Sequence, residues 1–210
     1  ALETAFERLS TGKRINSASD DAAGLAIATD LNSRVSGLNQ AVRNVNDGIS
    51  MVQIVEGTYD EVTSILQRMR DMAVQAANGS LTSTEQGYLE TEQTALQTAL
   101  GEALNQATFG STNLYVGSSA SIVAISIQAG ANTGDAVSIN LTSAGVANAS
   151  GLGITAIDLS SAASAAIGLV DTALTSVATQ RAQLGAYQAQ LESTVRNLSN
   201  VAENTAAAAG

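Results

Sequence analysis

A seven-residue apolar spacing constrains this chain more than any other feature of its sequence. Leu31, Leu38, Val45, Val52, Tyr59, Leu66 and Ala73 recur at intervals of seven. A second stripe runs beside them: Val35, Val42 and Ile49, then Val55, Val62 and Met69. It trails its partner by four residues at first and by three later. An α-helix has about 3.6 residues per turn, so a strict repeat of seven drifts around it in this way. The spacing predicts one helix from about residue 22 to 77, roughly 80 Å long at ~1.5 Å per residue. Gly37, Gly48 and Gly57 fall inside the run. Each weakens a helix by up to ~1 kcal/mol, which leaves a series of shorter core helices as the alternative.

A matching seam lies near the other end of the chain. Ala163, Val170, Val177, Leu184, Leu191 and Leu198 are again seven apart, with Ile167, Leu174, Val195 and Ala202 as most of a companion stripe. Arg181 and Gln188 interrupt that companion. This predicts a helix over about 160–208. Neither seam is buried by the helix that carries it, so antiparallel packing of the two is expected. A third helix, about 82–107, carries Leu89, Leu96, Leu100, Ala103 and Ala107 and is expected against both. Thr82 or Ser83 is its candidate cap, with Glu85 near the positive end of the dipole. Asn78, Gly79 and Ser80 mark the turn before it. At the start, residues 1–10 read as the end of a helix with Leu2, Phe6 and Leu9 on one face and Gly12 as its stop. An irregular connection follows, and Ser19, Asp20 and Asp21 offer N-cap chemistry.

Residues 110–158 change character, with Gly, Ser, Thr, Asn and β-branched residues dominating. Val123, Ile125 and Ile127 alternate with small or polar residues, as do Val137, Ile139 and Leu141, on either side of QAGANTGDA. That pattern predicts a β-hairpin with a longer than minimal loop. The stretch SAGVANASGLG reads as a loop. The expected fold is mainly α: an elongated, coiled-coil-like bundle of three long helices with a small β-hairpin region. Its expected division is 1–110 for the N-terminal helical segment, 111–159 for the hairpin and loops, and 160–210 for the C-terminal long helix, all parts of one rod domain.

Composition narrows the function. The chain has no Cys, His, Pro or Trp. Without Pro, very long helices are permitted. Without His or Cys there is no catalytic triad, no Cys–His pair and no ordinary zinc or haem site. A net charge of −10 argues against nucleic acid and anionic membrane surfaces, both of which need a positive field. No apolar run is long enough to span a bilayer. No signal peptide is read at the start of the given sequence, but Ala1 opens a helical sequence, so the natural N-terminus, with any targeting segment, is expected to lie beyond it. Gly12-Lys13 resembles the end of a phosphate-binding loop, but Glu7 stands where its first Gly belongs and Arg14 where Ser or Thr belongs. Ser10-Thr11-Gly12-Lys13 matches the S-x-x-K pattern of serine acylases without its companion elements. The carboxylates of EGTYDE and of Asp20–Asp21 read as solvated helix faces rather than acids or calcium ligands. We therefore expect no enzyme, no cofactor and no metal.

One cluster stands out. QRMRDMAVQ, residues 67–75, holds two of only nine basic residues. Helical spacing turns Met69, Met72 and Ala73 toward a core and Gln67, Arg68, Asp71 and Gln75 outward. Such a face is either ordinary paired surface charge or a protein-contact patch, since Arg is favoured at interface anchors.

The stretches RINSASDDAAGLAIA (14–28), GLNQAVRNVNDGISMVQIVEGTYDEV, LQRMRDMAVQAANG and QRAQLGAYQAQLESTVRNLSNVAEN occur in the order in which bacterial flagellins carry them. The chain resembles that family over about two-thirds of its length. FGSTNLYVG and ISIQAGAN…VSINL resemble the family's hairpin after the second helix. The resemblance implies a rod-like domain of three long helices, a structural subunit of the flagellar filament, and an extracellular location reached through the growing flagellum without a cleaved signal peptide. It implies other flagellin subunits as partners, with an export chaperone and a filament cap, and neither nucleic acid nor membrane insertion. It also implies truncation at both termini, within the helices that polymerise flagellins, and hence a monomeric chain.

Carried over by position, Gln67, Arg68, Met72, Gln75 and Glu92 match the family's motif for axial subunit packing. In many members that motif is also recognised by a vertebrate Toll-like receptor. Met72 stands where Leu is common and Asp71 where Glu is common. Ala189 and Gln190 replace an Asn-Arg pair that the family often has. A hook–filament junction protein and a flagellin-like cell-surface binding protein are the alternatives with the same helices.

Overall fold

The computed structural model describes residues 6, 9–12, 14–115, 124–140 and 150–209. Three long helices dominate: α1 (Ala22–Ala76), α2 (Ser83–Gln106) and α3 (Ala163–Ala209). Between α2 and α3 lie β1 (Thr108–Phe109), β2 (Thr112–Asn113), β3 (Ala124–Gln128), β4 (Ala136–Asn140) and a 3-10 turn at Ile154–Ala156. The expected three-helix fold with a small hairpin region is therefore observed. Leu2, Val123 and Leu141 lie outside the described residues.

Helix ends follow their local chemistry. The Asp21 carboxylate accepts the N–H groups of Ala23 and Gly24 at 3.1 and 2.9 Å, which caps α1. Helix α1 then continues for 55 residues through its internal glycines. Of the two candidates for α2, Thr82 is the cap: its Oγ1 accepts Glu85 N–H, and the Glu85 carboxylate accepts Thr82 N–H at 2.8 Å. This reciprocal box satisfies two donors that a helix end leaves orphaned. The Thr82 N–H and the Thr82 hydroxyl both donate to the Glu85 carboxylate, which holds its pKa below the ordinary value. Before α3, the Asp158 carboxylate accepts from Ser160 and Ser161, which holds its pKa well below the usual range. Gly12, expected to stop the first helical segment, has φ +68°, a conformation that favours glycine. Phe6 and Leu9 near it are exposed.

The chain packs as two compact units. One contains Ala1–Asp47, Ile127–Val137 and Leu191–Gly210; the other contains Gly48–Ser126 and Ser138–Gln190. Helices α1 and α3 contribute to both. In the first unit Leu38, Ala41 and Val45 of α1 are buried, as are Leu191 and Ala202 of α3. Gly37 faces the hairpin loop there: a Cβ at that position would stand 3.1 Å from the Cβ of Ala131. Asn44 Nδ2 donates to the Gln128 carbonyl at 3.2 Å.

In the second unit α1 and α3 run antiparallel. Arg70 pairs with Asp171 and, ten residues earlier on α1, Asp60 pairs with Arg181, ten residues later on α3. Helix α2 runs antiparallel to α1: Arg68 meets Glu92, and Gln86 donates to the carbonyl of Ala76. Val52, Val55, Tyr59, Val62, Leu66 and Met69 are all 0% exposed. In the first unit the companion stripe (Val35, Val42) is only half-buried. The third helix belongs to the second unit alone, and that difference explains why both stripes are sealed there. Full burial of each such side chain contributes about 1.5–3 kcal/mol before entropy is counted.

The irregular segments depart from expectation in two places. Thr108–Phe109 and Thr112–Asn113 form a separate antiparallel pair, turned at Gly110 with φ +60°. The region before α3, expected as loop, delivers Leu152, Ile154, Ile157 and Leu159 into the core. Gln97 donates to the Ile154 carbonyl at 2.8 Å, and the Glu90 carboxylate accepts Leu159 N–H at 2.6 Å. The hairpin alternates as expected, with Ile127 and Ile139 buried and Ile125 and Val137 half-buried.

Candidate functional site

The 67–75 cluster lies on the last turns of α1. Met69, Met72, Ala73 and Ala76 are the inner face, each no more than 1% exposed. Gln67, Arg68, Asp71, Val74 and Gln75 are exposed. Arg68 crosses to α2, where Nε and Nη2 both donate to Glu92 Oε1, at 3.1 and 2.7 Å. That hydrogen bond and the opposite charge raise the Arg68 pKa above its already high ordinary value. Both donors share one oxygen, so this is not the two-oxygen fork of the strongest Arg–carboxylate pairs. The Arg68 and Glu92 side chains are 57% and 44% exposed, and an ion pair so solvated contributes little to stability.

Of the residues singled out from the sequence, Arg68 and Glu92 are thus brought together. Gln67 and Gln75 flank them on α1. Met72 lies beneath the patch and not in it. Two exposed residues escaped the sequence reading. Tyr88 is 70% exposed and sits one helical turn before Glu92, on the same face of α2. Val74 is 48% exposed beside Gln75. Both stand off the apolar stripes, so periodicity gave no reason to notice them. Exposed Tyr and Arg side chains on a rigid two-helix platform match the composition of protein-contact surfaces.

The EGTYDE carboxylates lie on a solvated helix face, as expected: the Asp60 and Glu56 side chains are 64% and 39% exposed. Asp60 also stands 2.8 Å from Arg181 Nη1, with Glu56 4.0 Å from Nη2. A cation on the facing helix recruits them. The interruption of the α3 stripe at Arg181 is the other half of that contact. Among the described residues, no group of three or more potential ligands gathers where a metal ion would bind. Among the described residues, no helix is long and apolar enough to cross a membrane.

Comparison with known proteins agrees with this geometry. Residues 1–120 match the bacterial flagellin N-terminal helical region, and residues 167–210 match the C-terminal helical region. The chain is 39% identical to a flagellin of Halalkalibacterium halodurans over 208 residues, covering 98% of this chain and 75% of that one. It is 50% identical to polar flagellin F of Vibrio parahaemolyticus over 142 residues; the match covers 68% of this chain but only 37% of the relative. Among solved structures, Bacillus cereus flagellin superposes with a TM-score of 0.63 at 25% identity, covering 80% of this chain and 94% of that one. A flagellar hook-associated protein from Vibrio parahaemolyticus gives a TM-score of 0.74 over 92% of this chain and 99% of its own, at 18% identity, a likeness of fold alone. Two matched helical regions in the right order, and identity along nearly the whole chain, lead to one conclusion: the chain belongs to the bacterial flagellin family, the structural subunits of the flagellar filament.

Proposed function

We propose that the face of α1 and α2 around Arg68, Gln75, Tyr88 and Glu92 is the surface by which this subunit packs on neighbouring copies in a filament, and that a vertebrate Toll-like receptor reads the same face. The observation that carries this reading is an exposed ion pair flanked by exposed Tyr and Val on a platform whose underside is fully buried. A rigid support of this kind lets the patch bind without the cost of ordering it. The export chaperone and filament cap belong to the same reading as transient partners on the way to the filament.

The test is complementation of a strain lacking flagellin with the gene carrying Arg68→Glu. Short or absent filaments, with the secreted subunit still folded by circular dichroism, are the expected result. Filaments of normal length and shape would remove the packing role. Purified subunit on receptor-expressing reporter cells tests the second half separately. There Arg68→Ala is expected to weaken the response, and an undiminished response rejects it.

A further inference from the structure

We infer that the turn between α1 and α2 is a self-modifying site, at which Asn78 converts to aspartate and isoaspartate through a cyclic imide. Asn78 is the only asparagine in the chain followed by glycine. Asn78, Gly79 and Ser80 are all exposed. The reaction needs the Gly79 amide nitrogen to attack the Asn78 side-chain carbonyl carbon. Three features of the turn favour it. The side chain is folded back over its own backbone, with Oδ1 accepting Ser80 N–H at 3.3 Å. The Gly79 N–H donates to no other group among the described residues, so the attacking nitrogen gives up no hydrogen bond of its own. Gly79 has no Cβ, and nothing lies within 4 Å of where one would stand, so no neighbour crowds the turn, and only the Leu81 N–H to Asn78 carbonyl bond opposes turning the peptide into the cyclising geometry.

The step balances with water as the only co-reactant. The Gly79 nitrogen loses its proton and bonds to Asn78 Cγ; the side-chain nitrogen leaves as ammonia, closing the imide. Water then opens either carbonyl, giving aspartate or the isomer whose main chain runs through the former side chain. Both products place a new carboxylate just past the C-terminus of α1, whose last turn carries no basic residue. The helix dipole disfavours negative charge there. The isomer also lengthens the backbone between Asn78 N–H, which donates to Gln75, and the Asn78 carbonyl, which accepts from Leu81. Both turn bonds are weakened three residues from Gln75 of the contact patch.

Asp47–Gly48 is an internal control. It has the same cyclising pair, but it lies inside α1, where the Gly48 N–H is held in the helical ladder and the backbone is fixed away from ring closure.

The test incubates the intact chain at mildly alkaline pH and maps its peptides by mass spectrometry, with isoaspartyl methyltransferase labelling of the product. Conversion confined to Asn78, with ammonia released and Asp47 unchanged, is expected. Gly79→Ala fits the turn, because Gly79 has no positive φ and its Cβ site is open. It should slow conversion about tenfold, a barrier rise of about 1.4 kcal/mol, without shifting the melting curve. A short peptide of the same sequence reports the unconstrained rate. An Asn78 that stays intact under conditions that convert the peptide overturns the inference, as does an equal rate in Gly79→Ala or equal conversion at asparagines not followed by glycine.

Discussion

The guanidinium of Arg181 on α3 lies 2.8 Å from the carboxylate of Asp60 on α1, with Glu56, one turn earlier, at 4.0 Å. This places a cation where the apolar stripe of α3 would otherwise continue. The Arg181 side chain is 35% exposed, so the pair sits at the rim of the seam and not inside it. Its contribution should be small and screened. Arg181→Ala is expected to lower stability by about 0.5–1 kcal/mol in dilute buffer. The difference should shrink in ~1 M salt, where the Debye length falls to about 3 Å. Urea titrations of both proteins at two ionic strengths would show this. A loss that does not depend on salt would mean that Arg181 acts through the packing of its methylenes.

The patch on α1 separates into residues that hold the fold and residues that face outward. Met72→Ala removes a side chain that is 1% exposed and should cost about 2–5 kcal/mol through lost burial and the cavity left behind. Gln67→Ala and Gln75→Ala, both exposed, should change stability by no more than about 0.5 kcal/mol. Thermal melts of the three variants distinguish these cases. The ordering matters for the contact role. A binding defect in Met72→Ala reports on the platform, whereas a defect in Gln75→Ala reports on the surface.

How much of this was legible in the sequence depends on periodicity. Val45, Val52, Tyr59 and Leu66 are readable as core because a helix repeats its geometry, so seven-residue spacing projects directly onto one buried line. Ile154 and Leu159 are as buried as those residues, but they sit in a segment with no repeat, and only the bonds from Gln97 and Glu90 reveal that it is clamped down. Thr82 and Ser83 are equivalent as caps in sequence; the Glu85 side chain decides between them by reaching back to Thr82. Arg68 and Glu92 were linked only by resemblance to a family motif, because no local rule connects residues 24 apart on different helices. The exposed Tyr88 illustrates a further limit: periodicity tells which residues are inside but not what the outside is for.

Gln93 shows what periodicity does reveal when followed one step further. Leu89, Gln93, Leu96, Leu100 and Ala103 alternate in steps of four and three, so Gln93 fills an apolar position with an amide. It is 0% exposed, and neither Nε2 nor Oε1 has a hydrogen-bond partner among the described residues. Leaving buried polar atoms unsatisfied costs about 1–3 kcal/mol, whereas an apolar residue of similar shape is neutral or better. Gln93→Leu should therefore raise stability by about 1–2 kcal/mol by chemical denaturation, with little change in m-value. A lowered midpoint would show that the amide has found a partner.

Tyr59 and Tyr115 make the alkaline limb of stability informative. Their rings meet edge to face, with centroids 5.6 Å apart, and the Tyr115 hydroxyl donates to the Val55 carbonyl at 3.4 Å. The Tyr59 hydroxyl is buried near that of Tyr115 without meeting it in hydrogen-bond geometry. Burial pushes the Tyr59 pKa up to about 12 and raises that of Tyr115 as well. A folded-state pKa above the unfolded value means that the contribution is fully present below the unfolded pKa of about 10 and is lost as pH rises through the folded one. Stability should thus fall above about pH 10, by up to about 1.4 kcal/mol per pH unit for each tyrosine that titrates only when unfolded. Tyr59→Phe should be at least as stable at neutral pH and should lose stability less steeply in that window. Identical slopes in the two proteins would show that Tyr59 ionises as easily when folded as when unfolded.

The ion pair between Arg68 and Glu92 offers the sharpest separation of structure from contact. Within the chain a reversed pair with Glu at 68 and Arg at 92 keeps one cation opposite one anion, at the cost of a like-charge contact with Asp71, which attracts Arg68 in the starting protein. A neighbouring subunit or receptor distinguishes them, because its own charges are fixed and a reversed pair meets like with like. Arg68→Glu alone faces Glu92 with a second carboxylate and should lower stability only slightly at these exposures. Adding Glu92→Arg should restore most of the stability lost in the single variant, the remainder being the new contact of Glu at 68 with Asp71. Filament formation and receptor response should stay impaired in the double variant if the face makes contacts in trans. Recovery of both along with stability would reduce the pair to an internal tie between α1 and α2 and move the contact surface elsewhere. Melting curves and a reporter-cell response on all four proteins of the cycle, with filament lengths by electron microscopy from strains whose whole flagellin gene carries each change, decide between the two.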